Sequence, residues 1–543
     1  MHLQLTSIIR TRRPIAVLGA VALAASGLAL ATASPTHAAA RPFTDRVSVT
    51  TGGFHAGSGT SRVGGASRQT NALSTDGRFA VFESSAPMTN RAGQARVWQI
   101  FVRDRKLGTT TLVSVGHRGQ LANHNSDEAV MSEDGRYVAF RSTATNLVPG
   151  DTNDKSDVFV RDLRRGTTTR VSTSASGGQL TIPGNTPVGA ASPAISPDGR
   201  YVGFISHAKG LTSDDEPGAQ AYLKDTVTGA IEVVSRNSLG ATGHVVTGSS
   251  LGVSRGGKKV SFLSLDAFLV PGENNHDTDV FVRDRSAGTT TLVAAGEDGS
   301  KNPVMNTEGT HVAFVARNAE VSLPGAPAGI DQVYIRDLAT GTTLAASRHS
   351  DGAWANDHSK APAISRDGRH VSFNSFASNL VGGDTNRQAD VFRHDTATGR
   401  TIRVSLRSNG TQSSHASGIT AISGNGMHVL FESHAPDITP LPTSNWGNVF
   451  VRSVDGSYPA MRASVGILPT KTPRATKRKV RTTGIAAGQP VKVVWKQGKR
   501  RTTNNLSVRS NAITLKAPKR HGKYKVTVSY AGKLLRTRTI QVR

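Results

Sequence analysis

The sequence predicts an all-β chain, a seven-bladed β-propeller followed by a small, strongly basic β-sandwich, and three observations lead to it. A unit of about 58 residues recurs seven times. Each unit reads as four short strands joined by hairpin turns, with no amphipathic helix of useful length between them. The last 78 residues then break the period, with alternating strands and a charge balance of their own.

The clearest unit runs Ser132-Glu133-Asp134-Gly135-Arg136-Tyr137-Val138-Ala139-Phe140, then Asp157-Val158-Phe159-Val160-Arg161-Asp162, then Gly166-Thr167-Thr168-Thr169-Arg170-Val171-Ser172. Asp-Gly-Arg turns recur at Asp76, Asp198 and Asp367, with degenerate forms at Gly256-Gly257, Glu308-Gly309 and Asn425-Gly426. Glycine at these turns tolerates a positive φ, so each is a hairpin signal. Strands such as Val158-Phe159-Val160 are apolar at consecutive positions, which suits a sheet covered on both faces by neighbouring blades. Two segments compete to complete blade seven: Arg46-Val47-Ser48-Val49-Thr50, which matches the last strand of a unit, and Arg462-Ala463-Ser464-Val465.

The segment Pro193-Ala194-Ile195-Ser196-Pro197-Asp198-Gly199-Arg200-Tyr201-Val202-Gly203-Phe204, echoed at Pro362 to Arg369, resembles the WD-repeat-like motif of TolB-type propellers. The resemblance spans residues 44–465 and implies the fold far more than a function. TolB-type proteins carry an α/β domain ahead of the blades, whereas here the leader runs almost directly into them. Peptidases of the prolyl oligopeptidase type share such a propeller, but their hydrolase domain is far longer than the 78 residues after Val465.

Ahead of the repeats, Arg10, Arg12 and Arg13 precede an apolar run from Ile15 to Leu30 and a small-residue stretch, which reads as a signal peptide over residues 1–38, cleaved after Ala38. The mature chain is then expected to be secreted, with no membrane span after cleavage. Without cysteine there is no disulfide framework, thiolate metal site or cysteine nucleophile.

Catalytic motifs are scarce. Gly248-Ser249-Ser250-Leu251-Gly252 matches a nucleophile elbow in letters, but a β-hairpin follows where that motif needs a helix. The Asp-Gly-Arg turns do not fit the Asp boxes of sialidase-like enzymes, and the 17 histidines include no His-Glu-x-x-His pair. The Arg-Asp steps at Arg161-Asp162 and Arg336-Asp337 each open a hairpin that ends in glycine, so turn formation accounts for them.

The loop between the second and third strands offers a candidate cation site. Three blades place an acid, an Asn two residues on and an Asp four further: Asp151, Asn153, Asp157; Glu273, Asn275, Asp279; and Asp384, Asn386, Asp390. Clustered oxygens of this kind suit a structural Ca2+. The same residues also close Asx turns on backbone N–H groups, the reading the spacing favours.

The net charge of +27 is concentrated at the C-terminus. Residues 466–543 hold 21 Lys and Arg with no Asp or Glu, while residues 39–465 hold 41 basic and 38 acidic residues, a net of +3. A linker is expected over 466–478 and a basic domain over 479–543, whose ending Gly522-Lys523-Tyr524-Lys525-Val526-Thr527-Val528 resembles the last hairpin of bacterial Ig-like sandwiches. The clusters Lys477, Arg478, Lys479 and Arg481, then Lys499, Arg500 and Arg501, then Lys519 and Arg520 make a polyanion the expected partner.

Two functions fit. The first is a non-catalytic scaffold that binds a protein or peptide through the propeller and is held to cell-wall or other extracellular polyanions by its tail. The alternative is an extracellular hydrolase or lyase with an active site in the central channel. A channel mouth crowded with histidine and carboxylates favours the enzyme, and a neutral or apolar channel favours binding.

Overall fold

The structure, a computed structural model, describes residues 42–542 except 52–59, 65–70, 89–96, 181–188, 215, 247–248, 274–276, 296–300, 318–322, 440–446, 457–463, 466–470, 473–476, 484–489, 498–499, 508–511, 517, 519, 521 and 531–532. The expected leader, residues 1–38, lies outside the described residues.

Seven four-stranded antiparallel sheets follow one another along the chain. Blade two shows the pattern: Ser126–Met131, Tyr137–Ser142, Asp157–Asp162 and Thr167–Arg170 pair in sequence order. A phenylalanine of each second strand stacks on an aromatic ring of the third, from Phe82 on Phe101 through Phe204 on Tyr222 to Phe431 on Phe450, with centroids 5.6 Å apart in blade three and 5.7 Å in blades one and seven. These rings are almost wholly buried, as expected of sheets covered on both faces.

The turns explain why the repeat needs its letters. In blade two the Ser132 hydroxyl donates to Asp134 Oδ1 at 2.8 Å and accepts the Tyr137 amide at 2.9 Å. Gly135 has φ +70°, and a Cβ there would lie 2.3 Å from the Phe79 ring of blade one. Glycine is therefore required twice over, by conformation and by the approach of the preceding blade. The turn arginine reaches the aspartate that ends the third strand of its own blade: Arg78 to Asp104, Arg136 to Asp162 and Arg200 to Asp225 at 2.7 Å, and Arg369 to Asp395 at 2.8 Å. The Arg-Asp steps are thus structural, since Asp162 also accepts the amides of Arg164 and Arg165 that start its hairpin.

Blade seven is completed by the N-terminal strand. Phe43–Arg46 pairs antiparallel with Asn448–Ser453, in the order first strand, second, third, then Phe43–Arg46 at the outer edge. Ser48 then accepts the Val449 amide at 3.0 Å, as Ser172 accepts that of Val158 and Ser405 that of Val391. Blade four has Ala294 at this position, and there the ladder itself runs further, over Thr289–Ala294.

The competing candidate, Ser464–Val465, pairs instead with Lys477–Thr483 of the C-terminal region, and Arg462 and Ala463 lie outside the described residues. Regular structure therefore starts before residue 479, inside the expected linker: Lys471–Thr472 lies parallel to the last strand, and Lys477–Thr483 pairs with Ala512–Lys516. The C-terminal region is built of a three-stranded and a five-stranded sheet, and Val491, Val493, Trp495, Leu515, Tyr524, Val526, Val528, Ile540 and Val542 form its core.

Candidate functional site at the central channel

The first strands of the blades converge on the axis, and the residue after each turn serine stands at one mouth of the channel. These residues hydrogen-bond from blade to blade. The Thr75 amide donates to the Glu133 carbonyl at 2.9 Å, Glu133 to Pro197 at 3.0 Å, Arg255 to Thr307 at 2.8 Å and Arg366 to Gly424 at 3.0 Å, while Asn425 returns to Thr75 at 3.1 Å.

Their side chains close the mouth. Arg255 binds Glu133 at 2.5 Å and Glu308 at 3.2 Å, Arg366 binds Glu308 at 2.6 Å, and Thr307 donates to Glu133 at 2.8 Å across the ring. Burial would raise the Glu308 carboxyl, but its bonds from Arg366 and Arg255 outweigh that and hold it below the usual range. Together with the polar Asn71, Thr75, Glu133, Thr307 and Arg366, the apolar Leu73, Met131, Ile195, Ile364 and Ile422 line a cavity of about 30 Å³, room for one water. Their counterparts Val253 and Met305 are buried too. Among the described residues lining this cavity there is no histidine and no serine.

Further along the axis, charged residues strut adjacent blades. Glu83, fully buried, pairs with Arg62 at 2.7 Å and faces the Ala129 amide of blade two at 3.4 Å. Glu128 accepts the Ser192 amide of blade three at 2.8 Å, and Glu432 accepts that of Val63 in blade one. Burial pushes the Glu83 carboxyl up to about 8 and raises that of Glu128, against the pull of Arg62 and Arg141 respectively. In blades five and six Asp331 is held by Arg317 at 3.0 Å, and by His358 and Lys360 at 3.3 Å each. These carboxylates are engaged by cations or backbone amides, an arrangement that ties neighbouring blades together.

The candidate cation loops hold a guanidinium among their oxygens. Arg170 lies 3.2 Å from Asp151 and 3.6 Å from Asp157, and Asn153 donates to Asp157 at 3.5 Å. In blade six Arg403 lies 3.2 Å from Asp384 and 3.3 Å from Asp390, Asn386 donates to Asp390 at 3.3 Å, and Gln412 donates to Asp384 and Asp390. Asn153 and Asn386 accept the amides of Lys155 and Gln388, so both close Asx turns. Burial pushes the Asp157 carboxyl up to about 6 and raises Asp151 and Asp384. A cation placed there would have to displace Arg170 or Arg403. In blade four Asp279 is buried and Glu273 lies in the loop ahead of it, while Asn275 lies outside the described residues. No group of three or more His, Asp or Glu suited to a metal occurs among the described residues.

The elbow-like segment leads through Ser249 and Ser250 into the strand Gly252–Val253 and then a single 3-10 turn, Arg255–Gly257, with no α-helix; Gly248 lies outside the described residues. Ser249 donates to the Val246 carbonyl at 2.6 Å. Of the basic clusters, Arg500, Arg501 and Arg520 are exposed, and Lys477, Arg478, Lys479 and Arg481 lie on one strand. Lys499 and Lys519 lie outside the described residues.

The lid residues are not visible as a motif because the partners sit 53 to 174 residues apart within turns whose other letters are so regular. Their signal is the variable letter of the turn, Thr75, Glu133, Pro197, Arg255, Thr307, Arg366 and Gly424, the position the repeat leaves free to differ.

A scan against protein-family models finds no match, and a search of curated proteins finds none either. Among solved structures the chain is similar to a putative TolB from Agrobacterium tumefaciens, at 14% identity and a TM-score of 0.34, covering 64% of this chain and 94% of that one. It is likewise similar to TolB from Acinetobacter baumannii, at 13% identity and a TM-score of 0.33, covering 69% of this chain and 80% of that one. By its own sheet order the chain is a seven-bladed propeller followed by a two-sheet basic region.

Proposed function

We propose that this chain is a non-catalytic binding scaffold, exported and held at the cell envelope by its basic C-terminal region, with the propeller presenting a protein- or peptide-binding face. The observation that carries the reading is the closed axis. Where a propeller enzyme would assemble groups from several blades, Glu133, Arg255, Glu308 and Arg366 satisfy one another, and the cavity they border, of about 30 Å³, has room for little more than a water.

The face opposite the turns supports a docking role. Loops between the second and third strands expose Leu265 and Phe268 in blade four and Phe376 in blade six. Large apolar side chains left in water on loops of one face are the kind of feature a contact surface uses.

The experiment is affinity capture from an envelope extract by the intact protein and by a Phe268→Ser, Phe376→Ser double variant. Selective loss of one partner supports the reading; an identical set of captured proteins overturns it. The tether is tested separately by deleting residues 466–543, which should release the protein from envelopes at low salt, and unchanged retention rules it out.

A further inference from the structure

The C-terminal region contains a cleft that a simple cationic surface does not require. Its five-stranded sheet has Arg500–Ser507 at the edge, paired with Pro490–Gln497 so that Thr502 lies opposite Trp495 and Asn504 opposite Val493. Opposed residues share a face of the sheet, and Val493 and Trp495 belong to the core. The edge strand therefore places Thr502 and Asn504 on the core-facing side, where a sandwich would bury apolar residues.

These polar residues face a cleft of about 540 Å³ whose lining includes Trp495, Thr502, Asn504, Lys516, Arg520 and Tyr524. Trp495 and Tyr524 meet edge to face, with centroids 6.0 Å apart, and Tyr524 donates its hydroxyl to the Arg520 carbonyl at 3.2 Å. Arg500, Lys516 and Arg520 are exposed members of the lining, and Gln497, Thr502 and Asn504 add neutral amide and hydroxyl groups to it.

Three kinds of group thus converge: cations, neutral hydrogen-bonding groups and a small apolar floor. The volume falls in the range of about 300–1,000 Å³ common to small-ligand sites. A bare polyphosphate would use only the cations. Nucleic acid would want aromatic faces spaced along a groove for successive bases, whereas this cleft is lined by the single Trp495–Tyr524 pair, with Leu506 and Pro518 as the rest of its apolar lining. A sugar ring that bears an acid group offers hydroxyls, an apolar ring face and a negative charge together.

We infer that this cleft recognises an acidic sugar residue, carboxylated or phosphorylated, of an anionic glycan, and so gives chemical selectivity to the polyanion tether on whose reading the inference rests. The outer arginines and lysines supply salt-sensitive attraction, and Thr502 and Asn504 discriminate by the hydroxyls they engage.

Calorimetric titration of the full-length secreted chain tests this with tetragalacturonate, a phosphodiester-linked amino-sugar tetramer, a neutral tetrasaccharide, a linear polyphosphate and a single-stranded oligonucleotide of matched charge. At least one acidic sugar should bind tenfold or more tighter than the neutral sugar and the polyphosphate, and comparison of the first two probes identifies the acid group. Asn504→Leu and Thr502→Val leave the charge unchanged and should each weaken that binding tenfold or more, while polyphosphate binding stays as it was. A Lys477→Gln, Arg478→Gln, Lys479→Gln variant should lower the binding of every anion by a similar factor. Arg520→Gln serves in place of either cleft variant that melts early. If anions bind but none of the cleft variants changes the acidic-sugar affinity, the tether stands and the cleft assignment falls. If the oligonucleotide binds as tightly as the acidic sugars with the same dependence on Asn504, the assignment to a glycan is overturned. If no anion binds, both readings fail.

Discussion

Replacing Ser48 by alanine separates the two ways of closing the ring. Ser48 is fully buried, and its hydroxyl accepts the Val449 amide at 3.0 Å, while the Val47 amide donates to the Val449 carbonyl at 2.8 Å. Alanine removes the acceptor without opening a path for water, so a buried N–H is left unsatisfied, at a cost of about 1–3 kcal/mol. Ser405→Ala in blade six should cost at least as much, because that hydroxyl accepts the Val391 amide and also donates to Asp390 at 2.5 Å. Ser464→Ala should leave the propeller within about 0.5 kcal/mol of wild type, as expected for a substitution outside its strands. Urea unfolding followed by near-ultraviolet circular dichroism gives all three midpoints on one scale. A midpoint that falls for Ser405→Ala but not for Ser48→Ala would show that Phe43–Arg46 does not complete blade seven, and a fall for Ser464→Ala would implicate the other strand.

Gly199→Ala should destabilise by about 1–3 kcal/mol from its positive φ alone, and by more because the new Cβ would lie 2.2 Å from the Tyr137 ring; thermal melting equal to wild type would contradict this packing. The turn pairs predict acid sensitivity. The hydrogen bond from Arg136 lowers the Asp162 carboxyl to about 2, below its unfolded value, so its stabilisation is complete above the unfolded pKa and is lost as pH falls through about 2. Asp225 and Asp395 shift the same way through Arg200 and Arg369, so an Arg136→Gln, Arg200→Gln, Arg369→Gln variant should show a weaker dependence of stability on pH between about 4 and 2. A parallel pH profile would refute that assignment. Because Arg170 and Arg403 already lie among the loop carboxylates, EDTA followed by excess Ca2+ should leave the melting temperature unchanged; a rise on adding Ca2+ would restore the cation site.

Much of the fold was legible because a propeller repeats its local chemistry. The Ser-x-Asp-Gly-Arg turn, the apolar second and third strands and the terminal serine each answer to a contact that recurs blade after blade, so period and spacing expose them. Ring closure was legible only as two alternatives, since the sequences of Arg46-Val47-Ser48 and Arg462-Ala463-Ser464 are both plausible last strands and only the pairing with Asn448–Ser453 decides. The loop acids were visible as oxygen clusters, but the cations among them were not. Arg170 and Arg403 sit 13 residues beyond Asp157 and Asp390, on the neighbouring strand, where letters alone do not report distance. The lid was hidden for the opposite reason: its members occupy equivalent positions in different blades, so their contact is set by the circle and not by the chain.

The closing strand has a mechanical consequence. Phe43 lies opposite Ser453, so the chain enters and leaves blade seven at the same end of an antiparallel pair. Tension between the two termini would open that pair one hydrogen bond at a time, like a zip. Tension between the C-terminal region and a ligand gripped elsewhere on the propeller takes another route. It enters through Asn448–Ser453, a strand flanked by His428–Ser433 on one side and Phe43–Arg46 on the other. The N-terminal strand thus turns the strand that leads to the C-terminal region from an exposed edge that could be peeled into an interior strand held from both sides, so that a pull arriving through the tail meets two ladders of hydrogen bonds loaded together.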